Sequence, residues 1–258
     1  IDYLWDIIAH GDLGPSFRYR GRTVNDIIKD SLPISFQLGL LSMLIAIFIG
    51  IPTGTIAALK QNSIFDYSST FAAVIFRSIP NMALGPLLIW LIALKLGWLP
   101  VARWGALPPF FLGFIPKLNK EFIKHAILPT FALGTAYSAG ISRLTRGSLL
   151  QVIREDYIRT ARAKGLSERM VIIGHALKNS LIPVITYIGP IFAAVLTGTF
   201  IVEHIFAIPG MGKHFISSIG NRDYAVIQGV TLIYSITLVI ANLLVDITYA
   251  WLDPRIRY

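Results

Sequence analysis

The chain has no cysteine, and only 14% of its 258 residues are charged. The first absence excludes disulfides, thiolate metal sites and cysteine nucleophiles. The second leaves too little polar surface for a water-soluble globule, where roughly 25% of residues are charged. His10, His125, His175, His204 and His214 form no H-E-x-x-H or comparable spacing, so no metal site is expected. No Ser/His/Asp arrangement has a recognisable local context, and no catalytic residue is expected. A phosphate-cradling loop is missing as well: the nearest run, Gly210, Gly212, Lys213 and His214, has the wrong spacing and ends in His. The sequence begins at Ile1 without an initiator Met or a signal segment, so a preceding piece is expected.

What is present is apolar: 54% of residues, with mean hydropathy +0.64. Stretches 34–59, 68–94, 126–149, 181–202 and 225–251 are long enough to cross a hydrocarbon core, which takes about 20 helical residues. None alternates in the manner of a barrel strand, so helices must satisfy the backbone. The expected class is an all-α membrane protein. The formal charge of +9 lies largely beside these spans, where Lys and Arg set orientation, and nucleic acid is not an expected partner.

The Lys and Arg counts on the two candidate sides are equal, but segment 143–178 packs its cations into fewer residues and is assigned to the cytoplasm. The C-terminal tail, 252–258, is then cytoplasmic, and residues 1–33 are extracytoplasmic. There Ile1, Leu4, Trp5 and Ile8 make the stripe of an amphipathic surface helix, stopped by Gly11, Gly14 and Pro15.

Within the cytoplasmic loop 150–180, the run DYIRTARAKGLSERMVIIGHALKNSLIP is the most informative. Asp156 to Lys164 reads as a short helix ended by Gly165 at its left-handed C′ position, and Ser167 as the N-cap of a second. Tyr157, Ile158 and Leu166 are the expected anchors of a compact knob, and Arg159, Arg162 and Lys164 its polar rim. Such a knob is a docking surface; the plainer alternative is a solvated loop that only orients the spans.

This loop resembles the EAA loop of ABC importer permease subunits, in the oligopeptide/dipeptide branch. Gly165 matches the glycine after the first short helix and Ala161 the second alanine of the signature; Arg159 and Thr160 stand where that signature has Glu and its first Ala. Further stretches similar to the family are GDLGPS, LPISFQLGL, GIPTGTIAALKQNSIFDY, ARWGAL, RGS, EHIFAIPGMG, NRDY and the ending DPRIRY. The resemblance implies a type I importer permease bundle like the methionine permease, with five spans present of six, in the bacterial inner membrane. It implies a second homologous permease subunit and two cytoplasmic ABC ATPases that bind ATP and Mg, with no cofactor in this chain. An extracytoplasmic peptide-binding protein completes the set. Tyr157, Arg159, Thr160, Ala161, Arg162, Gly165 and Leu166 would then meet the ATPase. Glu203, Pro209, Gly210 and Gly212 form the implied turn toward the extracytoplasmic side; a bare connecting loop is the alternative.

Gln37, Pro80, Asn81, Tyr137 and Tyr187 are candidates for lining a substrate path. Arg77 and Asp246 are charges within spans, about 13 Å and about 8 Å from the cytoplasmic boundary at ~1.5 Å per residue, so that a pair is geometrically possible. Snorkelling of each toward water is the alternative. Longer peptides are the first substrate class; dipeptides, glutathione-like compounds and nickel chelates follow. An ATP-independent secondary transporter is the competing class, and an intramembrane enzyme a third.

Overall fold

The computed structural model describes residues 5–252, with backbone alone at 193, 194, 196–198, 245, 246 and 248–252. The described chain is helical: α1 (Val24–Leu59), α2 (Ile64–Ser78), α3 (Asn81–Lys95), α4 (Lys120–Val152), α5 (Asp156–Ala163), α6 (Glu168–Ser180), α7 (Ile182–Gly198), α8 (Phe200–Ile205), α9 (Met211–Asn221) and α10 (Tyr224–Leu252). Among the described residues α1 and the stretch 224–244 of α10 are each long and apolar enough to cross a membrane unaided.

The expected spans correspond to helices with differences at proline and glycine. Span 68–94 is two helices, because Ile79 is extended (φ −82°, ψ 117°) before Pro80, whose ring disfavours a helical residue preceding it. Span 181–202 is α7 plus the start of α8, and α6 meets α7 at a bend of 47° next to Pro183, which can donate no backbone hydrogen bond. The amphipathic N-terminal helix reduces to one wide turn, Asp6–His10, closed by Gly11 at φ +66°. Ile1 and Leu4 lie outside the described residues, and Trp5 and Ile8 are exposed. The tail 253–258 also lies outside them.

The chain divides into two compact units. The first comprises Ile1–Ser42, Asn81–Leu133 and Ala193–Ile240. Its core joins Leu13, Val24, Ile27 and Ile28 to Met211, Val226, Val230 and Tyr234. Reciprocal bonds between Thr23 and Asp26 cap α1: the Asp26 N–H donates to Thr23 Oγ1 and the Thr23 N–H to Asp26 Oδ2. Asp223, fully buried, accepts from Ser16 Oγ (2.6 Å) and from the N–H groups of Phe17 and Arg18, which fastens the N-terminal segment before α10.

The second unit comprises Met43–Pro80, Gly134–Phe192 and Ala241–Tyr258. Here α1 presses on α4 through Gly50 and Gly54, a small-xxx-small pair. A methyl group at Gly54 would run into the Ser142 carbonyl, and one at Gly50 into Ile141. Thr53 Oγ1 donates to Ser142 Oγ at 3.0 Å across the contact. Asp66, 2% exposed, receives a two-pronged ion pair from Arg146 (Nε to Oδ1 2.6 Å, Nη2 to Oδ2 2.7 Å), which ties α2 to α4.

Candidate functional site: a clamped helical knob

The knob of α5 and α6 is built on Ile158 and Ala161, three residues apart on one face of α5. Both are buried with Leu149 of α4, Ala58 of α1, and Val171 and Ala176 of α6. Full burial of one aliphatic side chain such as Ile158 is worth about 1.5–3 kcal/mol. Tyr157 and Leu166, the other two expected anchors, are instead about 40% exposed. Tyr157 is one residue, or about 100° of helix, away from the inward face.

The reversal after α5 is a Schellman turn. The Gly165 N–H donates to the Arg162 carbonyl (2.9 Å) and the Leu166 N–H to the Ala161 carbonyl (3.4 Å), with Gly165 at φ +77°. No atom stands within 4 Å of where a Gly165 Cβ would be, so glycine is required here by backbone conformation and not by crowding. Ser167 then caps α6, its Oγ accepting from the Met170 N–H.

Two side-chain ties brace the hairpin. Arg162 grips Glu168 with both Nε (3.1 Å) and Nη2 (2.7 Å), and these bonds hold the Glu168 carboxyl below the usual carboxylate range. Toward the other end, Asn179 Nδ2 donates to Tyr157 Oη at 2.7 Å. Of the residues expected to meet an ATPase, Arg159, Thr160, Gly165 and Leu166 face solvent. Arg162 and Tyr157 are exposed but engaged within the knob, and Ala161 is inside it, on the face that seats the hairpin.

The other expected residues divide. Gln37 is buried, accepts from Trp104 Nε1 (2.7 Å) and donates to the Phe114 carbonyl (2.7 Å), which makes it a bracket for the α3–α4 connection. Asn81 opens α3, half-buried. Tyr137 and Tyr187 are half-buried in the second unit, and Tyr187 borders a cleft that also takes in Arg77. The Asp246 side chain, and with it the pair to Arg77, lies outside the described residues.

Glu203 is no surface loop residue. Fully buried, it accepts from the Gly212 N–H (2.7 Å) and the Lys213 N–H (3.2 Å), capping α9 from a distance, while Ser35 Oγ accepts from the Met211 N–H. Burial pushes its carboxyl up from the ordinary range. A methyl group at Gly210 would strike the Glu203 carboxylate and one at Gly212 the Phe200 backbone, while Pro209 is half-buried in the same turn. These glycines therefore serve close approach as well as turning. Sequence reading missed the partners Ser35, Asp66, Arg146 and Asp223. Each of the four lies in a stretch similar to the family, which gave no hint of the pairing; the G-x-x-x-G spacing at Gly50 and Gly54 was a visible packing signal within an apolar helix.

Among the described residues, long apolar helices packed through glycine and a braced polar hairpin define an α-helical membrane protein. The chain belongs to the family of binding-protein-dependent transport system inner membrane components, whose description matches residues 50–258. It is 46% identical over its whole length to the dipeptide transport system permease protein DppB of Bacillus subtilis and spans 78% of that protein. It is 42% identical over 97% of its length to the oligopeptide transport system permease protein OppB of Salmonella typhimurium, again spanning 78%. Among solved structures, an amino acid ABC transporter with histidines aligns at TM-score 0.64 and 15% identity, covering 88% of this chain and 94% of that one. The inward-facing MetNI methionine ABC transporter aligns at 0.64 and 16%, covering 86% and 94%. At such identities these two show the fold alone.

Proposed function

We propose that this permease is one of two homologous pore-forming subunits of a peptide importer, driven through the 156–166 knob by separate cytoplasmic ATPase subunits that hold ATP and Mg. An extracytoplasmic peptide-binding protein delivers the substrate, and the C-terminus is cytoplasmic. Relatives named for dipeptide and oligopeptide transport support the substrate class. Longer peptides come first, with dipeptides next. The sequence carries no phosphate-cradling loop of its own, so hydrolysis belongs to the partners.

The observation that carries this reading is the knob: a hairpin braced at Arg162–Glu168 and Tyr157–Asn179 and rooted on α1 and α4 through Ile158 and Ala161. Such a body transmits a push to its helices without absorbing it, as coupling between two states requires. The chain's lack of cysteine makes the test clean. In the reconstituted complex, Leu166→Cys should cross-link to an ATPase subunit, with a yield that changes on ATP binding. No cross-link at Leu166, or uphill solute accumulation by this subunit alone without nucleotide, would overturn the reading.

A further inference from the structure

The face of α4 that turns away from α1 carries a second pattern. Ser138, Ile141 and Thr145 serve the packing side. Gly140, Arg143, Gly147 and Gln151, spaced by three and four residues, form the other stripe. This stripe borders an open cleft of about 460 Å³, lined also by Arg77 of α2 and Tyr187 of α7, with Ser148 beside them. That volume is within the ordinary range for small-molecule sites, about 300–1,000 Å³.

Three arginines lie on these helices, and they are not alike. Arg146 is neutralised by Asp66. Among the described residues, Arg77 and Arg143 form no ion pair, yet both line the cleft. Both are exposed; Arg77 falls within stretch 68–94, where an unpaired guanidinium is costly and marks a site where an anion passes or binds, and Arg143 stands where α4 enters the segment assigned to the cytoplasm. Arginine also matches a carboxylate with two parallel N–H donors. Gly147 borders open space, with nothing within 4 Å of where its Cβ would be.

We propose that this cleft binds the terminal carboxylate of the transported peptide, with Arg77 and Arg143 as its cationic partners. The inference rests on the peptide-permease reading above. It follows from what peptides share: their side chains vary, whereas every unmodified peptide ends in a carboxylate. A permissive permease that reads only that terminus needs two cations in a roomy, weakly polar cleft.

The test uses the complete reconstituted complex and peptide pairs that differ only as free acid or C-terminal amide, chosen for equal affinity to the binding protein. Uptake of the acid by wild type should exceed that of the amide about tenfold, the size of one charge-assisted hydrogen bond. Arg77→Gln and Arg143→Gln should each slow the acid about tenfold and leave the amide unchanged. Gly147→Leu, whose Cβ has nothing within 4 Å and whose side chain adds bulk at the cleft, should slow both. Equal wild-type uptake of acid and amide, or an unchanged ratio in both arginine variants, overturns the site while leaving peptide transport standing. Wild type that moves no peptide at all brings down the peptide reading and the site with it. A phospholipid retained by wild type in native mass spectrometry and lost from Arg143→Gln, with an unchanged ratio, reassigns the cleft to a lipid phosphate. Asp246→Asn reproducing Arg77→Gln on acid and amide alike, with Arg143→Gln silent, makes Arg77 a structural partner and also overturns the proposal.

Discussion

At the scale of single residues, buried carboxylates act as fasteners. Asp66 takes a guanidinium, Glu203 takes the N-terminus of α9, and Asp223 takes a hydroxyl and backbone N–H groups. Burial alone would raise the Asp223 pKa, but the bonds from Ser16, Phe17, Arg18 and Val226 outweigh it and leave the group below its ordinary value. A carboxyl depressed in the folded state contributes stability above its unfolded pKa, about 4, and loses it as pH falls through the lower folded value. The protection factors of the Phe17 and Arg18 amides, intrinsic over observed exchange rate at each pH, should therefore be high at neutral pH and fall in acid below about 4. Asp223→Asn should exchange faster at neutral pH and lose that acid dependence. These fasteners were illegible in the sequence because their partners are far away: Asp66 and Arg146 are 80 residues apart, and Asp223 and Ser16 are 207 apart. The bracket that Gln37 makes was illegible for another reason. A polar side chain in an apolar helix reads alike whether it lines a path or brackets a tryptophan, and only the Trp104 bond tells the two apart.

At the scale of elements, local signals carried well and long-range ones did not. The end of α5 at Gly165 and the cap at Ser167 were readable because a left-handed residue and an N-cap are decided within four or five positions. The break at Ile79 was missed because apolar residues continue across it, although Pro80 stood in plain view. Gly165→Ala should hold the turn at a cost of about 1 kcal/mol, because a Cβ at positive φ is strained, and should weaken co-purification with the ATPase modestly. Gly165→Pro, whose φ is fixed near −65°, should abolish it. Where α1 crosses α4 the constraint is space instead. Gly54→Leu must displace the Ser142 backbone, and overpacking of this kind costs roughly 1–3 kcal/mol. The expected readout is a lower thermal midpoint for the purified complex, with Gly147→Leu, in open space, close to wild type.

At the scale of the whole molecule, the apolar surface remains large. Phe71, Val74 and Ile75 on α2 and Val239, Leu243 and Leu244 on α10 are exposed, as suits surfaces that meet lipid or another membrane subunit. The class of fold followed from composition and run length alone, since so apolar a chain has few alternatives to a helical bundle. The Asp66–Arg146 pair has a consequence for biogenesis. Arg143 and Arg146 near the cytoplasmic end of α4 make it a poorer client for the translocon by itself, each at less than the about 2.5–3.5 kcal/mol that a charge costs at a helix centre. A carboxylate on the earlier-synthesised α2 cancels one of those charges, so the two helices should partition together. Asp66→Ala should leave a larger fraction of nascent chains with α4 outside the bilayer, scored by a glycosylation acceptor placed beyond Val152, and Arg146→Leu in the same chain should restore it.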